Sequence, residues 1–151
     1  MRIVIQRVLE ASVEIDGKII SKINKGLLVL LGIENLDENL DADYLIQKLI
    51  NLRIFSDDAG KMNLSLDDVH GELLIVSQFT LHASTKKGNR PSYIRAARPE
   101  MAVPLYNYFI QQLQLVIKKP IQTGEFGADM RVCLTNDGPV TIIIDSKNKE
   151  L

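Results

Sequence analysis

The stretch GELLIVSQFTL, residues 71–81, is strongly apolar from Leu73 to Val76 and then stops on side chains able to do chemistry. A short apolar run of this kind predicts a buried strand. The polar end has two readings. Ser77, Gln78 and Thr80 either enter a catalytic pocket or close the strand with a polar turn.

Working outward, LLVLLGI at residues 27–33 is a second strongly apolar strand. MRIVIQRVLEASVEI, residues 1–15, has the short apolar spacing of strands with a bulge or bend near Glu10 to Ser12. Asp16-Gly17 then predicts a hairpin turn into KIISKI, followed by a turn at Asn24 to Gly26. From Asp37 to about Leu52, the residues Leu40, Tyr44, Leu45, Lys48, Leu49 and Leu52 recur at helical intervals. RIF, residues 53–55, is expected as a short strand and DDAGK as a turn.

A second helix is expected over residues 100–117, with Leu105, Phe109, Leu113, Val116 and Ile117 on one side, Pro99 at its start and Pro120 at its end. Pro104 leaves its first turn open. The tail reads as three strands, IQTGEF, MRVCLT and VTIIID, separated by FGAD and NDGP, which predicts antiparallel closure of the sheet. The absence of a Gly/Ser- or Pro-rich linker, with 46% hydrophobic content, predicts one domain over residues 1–151.

The formal net charge of -1 averages over two opposed segments. ENLDENLDAD, residues 34–43, holds five carboxylates near a helix start, where they favour its positive end. Residues 83–99 hold Lys86, Lys87, Arg90, Arg95 and Arg98 and no acid. The core of that segment, KKGNRPSYIRAAR, is either a solvated basic loop or a phosphate-binding footprint with Tyr93 available to stack on a base. RNA bound there would be released as salt rises.

Cys133 is the sole cysteine, which excludes an intrachain disulfide and a four-cysteine zinc site. Its apolar strand context predicts buried packing. His70 is assigned a structural or surface role; His82, directly after SQFTL, stays open. The two form no metal-ligand constellation, and no cofactor is expected. With no signal-peptide pattern and no apolar run of transmembrane length, a cytosolic protein away from membranes is expected.

No strand-turn glycines of a nucleophile elbow flank Ser77, and no Ser-His-Asp set is recognisable. Gln78 offers both an amide donor and a carbonyl acceptor, useful for a ribose or for a buried backbone. Gly138-Pro139 is either a plain turn or a rigid cis element whose carbonyls fence a small substrate. GEFGADM, residues 124–130, brings two glycines that allow close ligand approach or shape a hairpin, without a dinucleotide fingerprint.

In their order along the chain, MRIVIQRV, SQFTL, GNRPSY, TGEFGADM and TNDGPVT resemble the bacterial/eukaryotic-type D-aminoacyl-tRNA deacylase family over essentially the whole length. The resemblance implies an α/β fold, a compact antiparallel, barrel-like sheet with two principal helices, assembled as a homodimer whose sites are completed across subunits. It implies hydrolysis of D-aminoacyl-tRNA and of mischarged glycyl-tRNA. Ser77, Gln78 and Thr80 would form the catalytic side and Phe79 a wall, with Gly138 and Pro139 of the opposite subunit as the chiral fence. Lys86, Lys87, Arg90, Arg95 and Arg98 would contact tRNA. The implied mechanism is water attack assisted by the ribose hydroxyl, without metal. The competing readings are a deacylase for mischarged L-aminoacyl groups, a dimeric nucleic-acid-binding module without hydrolysis, and, more weakly, a purely structural interaction protein.

Overall fold

A computed structural model describes residues 1–150. Strand β1 (Arg2–Ile15) organises the sheet. On one edge its first half pairs antiparallel with β3 (Gly26–Gly32) and its second half with β2 (Lys18–Ile23). The expected hairpin joins β1 to β2 through Asp16 and Gly17, both at positive φ. On the other edge β1 takes β8 (Arg131–Asp145) along its length.

The two apolar strands predicted from sequence lie side by side. β6 (Glu72–Ser77) runs parallel to β3, placing Leu27 opposite Leu73 and Leu31 opposite Ser77, and the short β7 (Gln122–Thr123) runs parallel to β6. Both strands are apolar without alternation because both of their faces are covered. Leu27, Val29, Leu31, Leu73 and Ile75 join the core under the helices, whereas Leu28, Leu74 and Val76 join a second core formed with Val8, Ala11, Val13 and Ile23. In β1 the parity switches. Ile3 and Ile5 face the first core, but Ala11 and Val13 face the second. The β1–β8 register shifts between Val8 and Glu10 account for it, since one extra residue moves every following side chain to the other face. The expected bend near Glu10 to Ser12 thus sits slightly earlier, with a second irregularity between Val13 and Glu14.

Helices α1 (Asn39–Ile50) and α2 (Pro99–Val116) pack on each other over the first core. The Asp41 carboxylate accepts from the Glu38 backbone N–H at 2.9 Å and so caps α1. α1 buries Ala42, Leu45, Ile46 and Leu49; α2 buries Ala102, Leu105, Tyr106, Phe109 and Leu113. The Tyr108 hydroxyl donates to Asp43 at 2.9 Å and links the helices. Pro104 sits inside α2, and the helix continues through it. Strands β4 (Phe55–Ser56) and β5 (Met62–Leu64) form a small separate pair around the DDAGK turn.

Several expectations are corrected. Leu40 is 75% exposed because Ala42 and Ile46 occupy the inward stripe instead, and Leu52 lies beyond α1 but packs against the core. Val116 is exposed, α2 having reached its last turn beyond the core. Of RIF, only Phe55 is in a strand. The tail strands MRVCLT and VTIIID are one element, β8, which runs through NDGP, while IQTGEF contributes only Gln122 and Thr123. Cys133, expected in the core, is exposed, because the residues of β8 that pack inward around it are Val132 and Leu134. His70 is exposed at positive φ in a turn. Among the described residues, no helix is long and apolar enough to cross a membrane.

Candidate active site

β6 delivers the polar end of its sequence to the carboxyl end of a parallel pair, where open α/β sheets place ligands. The Gln78 backbone N–H donates to the Leu31 carbonyl at 2.8 Å, and the chain then tightens into a 3-10 turn, Phe79–His82. That turn is held from β1 and β8. Arg2 donates to the Leu81 carbonyl at 2.9 Å and pairs with Asp145 at 2.7 Å, so the first and last strands jointly anchor it. Burial acts to raise the Asp145 carboxyl, but the backbone N–H groups of Asn148 and Lys147, together with Arg2, outweigh it and hold the group below its ordinary range.

A cavity of about 270 Å3 opens at this end of β6. Ser77, Gln78 and Phe79 form one wall, residues 126–130 another, and Leu31, Ile33 and Val76 contribute apolar lining. The Gln78 side-chain amide donates to the Thr80 hydroxyl, an orientation that fixes both groups. Thr80 itself is not among the cavity-lining residues. The Tyr106 hydroxyl donates to the Ile75 carbonyl at 3.2 Å, and burial pushes its pKa up to about 12, so it remains a neutral donor. No cluster of three His, Cys, Asp or Glu side chains with metal-binding placement occurs among the described residues.

The structure therefore brings Ser77, Gln78 and Phe79 together. Gly138 and Pro139, joined by a cis peptide bond, do not line this cavity; both are exposed at the bend of β8. Arg7, almost fully buried, donates to the Ile54 carbonyl and ion-pairs with Asp137 at 3.0 Å, supporting the chain just before that bend. Gly138 has φ +123°, and a Cβ there would stand 2.9 Å from an Arg7 guanidinium nitrogen and 2.9 Å from Val140 Cγ2. The position requires glycine on both counts.

The cationic segment leaves the 3-10 turn as a loop clasped by Ser84 and Ser92, whose backbones exchange hydrogen bonds at 2.8 and 2.9 Å. Lys86, Lys87 and Arg90 are exposed in this loop, and Arg98 is exposed at the start of α2. Arg95 is engaged with Glu34 at 3.0 Å. The other four make no ion pair among the described residues. His82 is buried with neither ring nitrogen partnered, and its ring packs close to Gly32.

Of the two sequence readings of GEFGADM, close ligand approach and a hairpin, the cavity lining at 126–130 agrees with the first, Gly127 adopting φ +81°. Another part of the arrangement escaped the reading by sequence. Arg7 and Arg2 gave no local signal, since their partners lie more than forty residues away in the chain.

Comparison with known proteins sharpens what this site belongs to. The family model described as D-Tyr-tRNA(Tyr) deacylase matches residues 4–145. A D-aminoacyl-tRNA deacylase of Flavobacterium psychrophilum is 63% identical over 150 residues, covering 99% of this chain and 100% of that one. Another, of Cytophaga hutchinsonii, is 64% identical over 147 residues, covering 97% and 98%. A solved structure of a c-Myc DNA Unwinding Element Binding Protein superimposes with TM-score 0.92 at 43% identity, covering 96% of this chain and 98% of that one. A probable eukaryotic D-amino acid tRNA deacylase shares the fold, with TM-score 0.79 at 16% identity over 95% and 98%.

Proposed function

From the premise that the chain belongs to the D-aminoacyl-tRNA deacylase family, hydrolases of the ester joining a D-amino acid to tRNA, we propose how its own residues carry the reaction. The cavity at the end of β6 receives the terminal adenosine with its aminoacyl ester. Ser77 and Gln78 hold the ester and ribose, and Phe79 walls them. Water adds to the ester carbonyl carbon, the bond from that carbon to the ribose oxygen breaks, and a proton passes to the departing ribose oxygen. The products are a free amino acid and intact tRNA.

Thr80 is a positioning group in this scheme. Its hydroxyl receives the Gln78 amide and has no adjacent base, so the neighbouring ribose hydroxyl is the better candidate to orient water. The observation that carries the reading is the convergence of Ser77, Gln78 and Phe79 on one wall of a partly apolar cavity beside a loop with free cations.

The same reading makes the chain one functional unit acting as a homodimer in the cytoplasm. β8 pairs only with β1 among the described residues, so the outer edge of a fifteen-residue strand is free for a second copy. A partner's Gly138-Pro139 would then face the cavity and reject an L side chain by steric exclusion, while glycine, lacking one, is also accepted. Mischarged glycyl-tRNA is accordingly a second substrate. Concentration-dependent mass measurement tests the dimer; full activity from a persistent monomer would remove the cross-subunit fence.

The decisive assay compares matched D- and L-aminoacyl-tRNAs in metal-free buffer while following intact tRNA. Rapid release from the D ester alone is expected; equal release would favour a deacylase without chiral selection. A second reading, a nucleic-acid-binding module, is favoured by the relative described as a DNA unwinding element binding protein. Salt-sensitive RNA binding without ester cleavage by the folded protein would support it.

A further inference from the structure

Phe79 and Tyr93 meet edge-on, with ring centroids 5.1 Å apart and planes at 71°. Neither ring is a core residue: Phe79 is 56% exposed and Tyr93 40%. Phe79 also belongs to the cavity wall, whereas Tyr93 does not line it. The pair therefore extends aromatic surface from the cavity mouth outward. It ends next to Ser92, where the Ser84–Ser92 clasp opens the loop carrying Lys86, Lys87 and Arg90. An aromatic step between an adenosine-sized cavity and unpaired cations has the composition of a single-strand binding path, bases on rings and phosphates on ammonium and guanidinium groups.

We propose that the Phe79–Tyr93 pair is the stacking platform for the unpaired nucleotide that precedes the aminoacylated terminal adenosine, with the 85–91 loop on its phosphates. The proposal rests on the tRNA-ester reading given above. Stacking on a ring face needs neither a hydroxyl nor a particular base. The contribution of Tyr93 should therefore survive replacement by phenylalanine and be felt only by substrates that possess the preceding nucleotide.

The test compares D-aminoacyl-tRNA with the same D-aminoacyl ester of adenosine alone, using wild type, Tyr93→Phe, Tyr93→Leu and Tyr93→Ala, each checked for unchanged melting. Tyr93→Ala is expected to raise KM for the tRNA ester by roughly 5- to 160-fold, the range for one lost base stack, with little change in kcat. Its loss on tRNA should exceed its loss on the adenosine ester at least fivefold. Tyr93→Leu, which still packs on Phe79, should behave like alanine, and Tyr93→Phe like wild type. Equal losses on both substrates would overturn the proposal in favour of simple support of the cavity wall, as would rescue by leucine. Wild type that cleaves neither ester would instead bring down the underlying functional reading, and the platform with it.

Discussion

Arg7 Nε lies 3.0 Å from Asp137 Oδ2 and donates to the Asp137 carbonyl at 3.2 Å, so a guanidinium in the first strand holds the chain one residue before Gly138. The Arg7 side chain is 9% exposed and also donates to the Ile54 carbonyl. Arg7→Ala leaves that carbonyl and the Asp137 carboxylate without a donor, and should cost roughly 3 kcal/mol in urea denaturation. Arg7→Lys should recover only part of this, because an ammonium cannot reproduce the guanidinium fork. A loss under about 1 kcal/mol for alanine would show that the bend holds itself.

Gly138→Ala forces a Cβ against Arg7 and Val140 at a φ that L side chains rarely adopt. A cost of about 1–3 kcal/mol is expected, together with impaired hydrolysis of the D ester. Because the clash is partly with Arg7, the double variant Arg7→Ala/Gly138→Ala should lose less than the sum of the singles. Strict additivity in a double-mutant cycle would assign the penalty to backbone conformation and the Val140 contact.

Thr80→Ala separates two mechanisms. With its hydroxyl occupied by the Gln78 amide, threonine is expected to lower kcat by less than about tenfold on removal. An essential nucleophile would cost on the order of 10⁴-fold or more. Single-turnover kinetics on the tRNA ester distinguishes these outcomes without interference from product release.

Asp145 provides a pH signature. Its folded pKa lies below the ordinary 3.8, so its stabilising contribution is complete above that value and is lost as pH falls through the lower folded value. Asp41 behaves alike: burial acts to raise it, while Lys147, Ser146 and the Glu38 backbone lower it further. Asp145→Asn should thus melt below wild type at pH 6, and the gap should close in acid, below about pH 4. A gap independent of pH would show that charge at residue 145 is irrelevant to stability.

Local patterns carried a large share of the fold. Leu45 and Leu49 in α1, and Leu105, Phe109 and Leu113 in α2, announce their helices because one helix face repeats every three or four residues. Asp16-Gly17 announces its hairpin because few dipeptides tolerate two positive φ angles. The ordered motifs around Ser77 and Gly138 were sufficient to indicate the family, later supported over residues 4–145.

Partnership was the part that remained closed. The apolar runs at 27–33 and 72–77 say that both strands are buried but not that they lie parallel, since strand pairing depends on which distant segment covers each face. Cys133 reads as core until the register of β8 against Ser12 is known, and Leu40 until Ala42 and Ile46 prove to fill the inward stripe. Arg2 looks like an ordinary polar position of an alternating strand, and Arg7 falls on the inward parity of Ile3 and Ile5, yet the sequence names neither partner, and folding places them against Asp145 and Asp137. Sequence determined elements, turns and the polar side chains that end β6, because those follow from neighbours along the chain. Only the tertiary structure decided what faces those side chains, because the contacts between β6, residues 126–130 and the aromatic step at Tyr93 form across long loops whose closure no local pattern encodes.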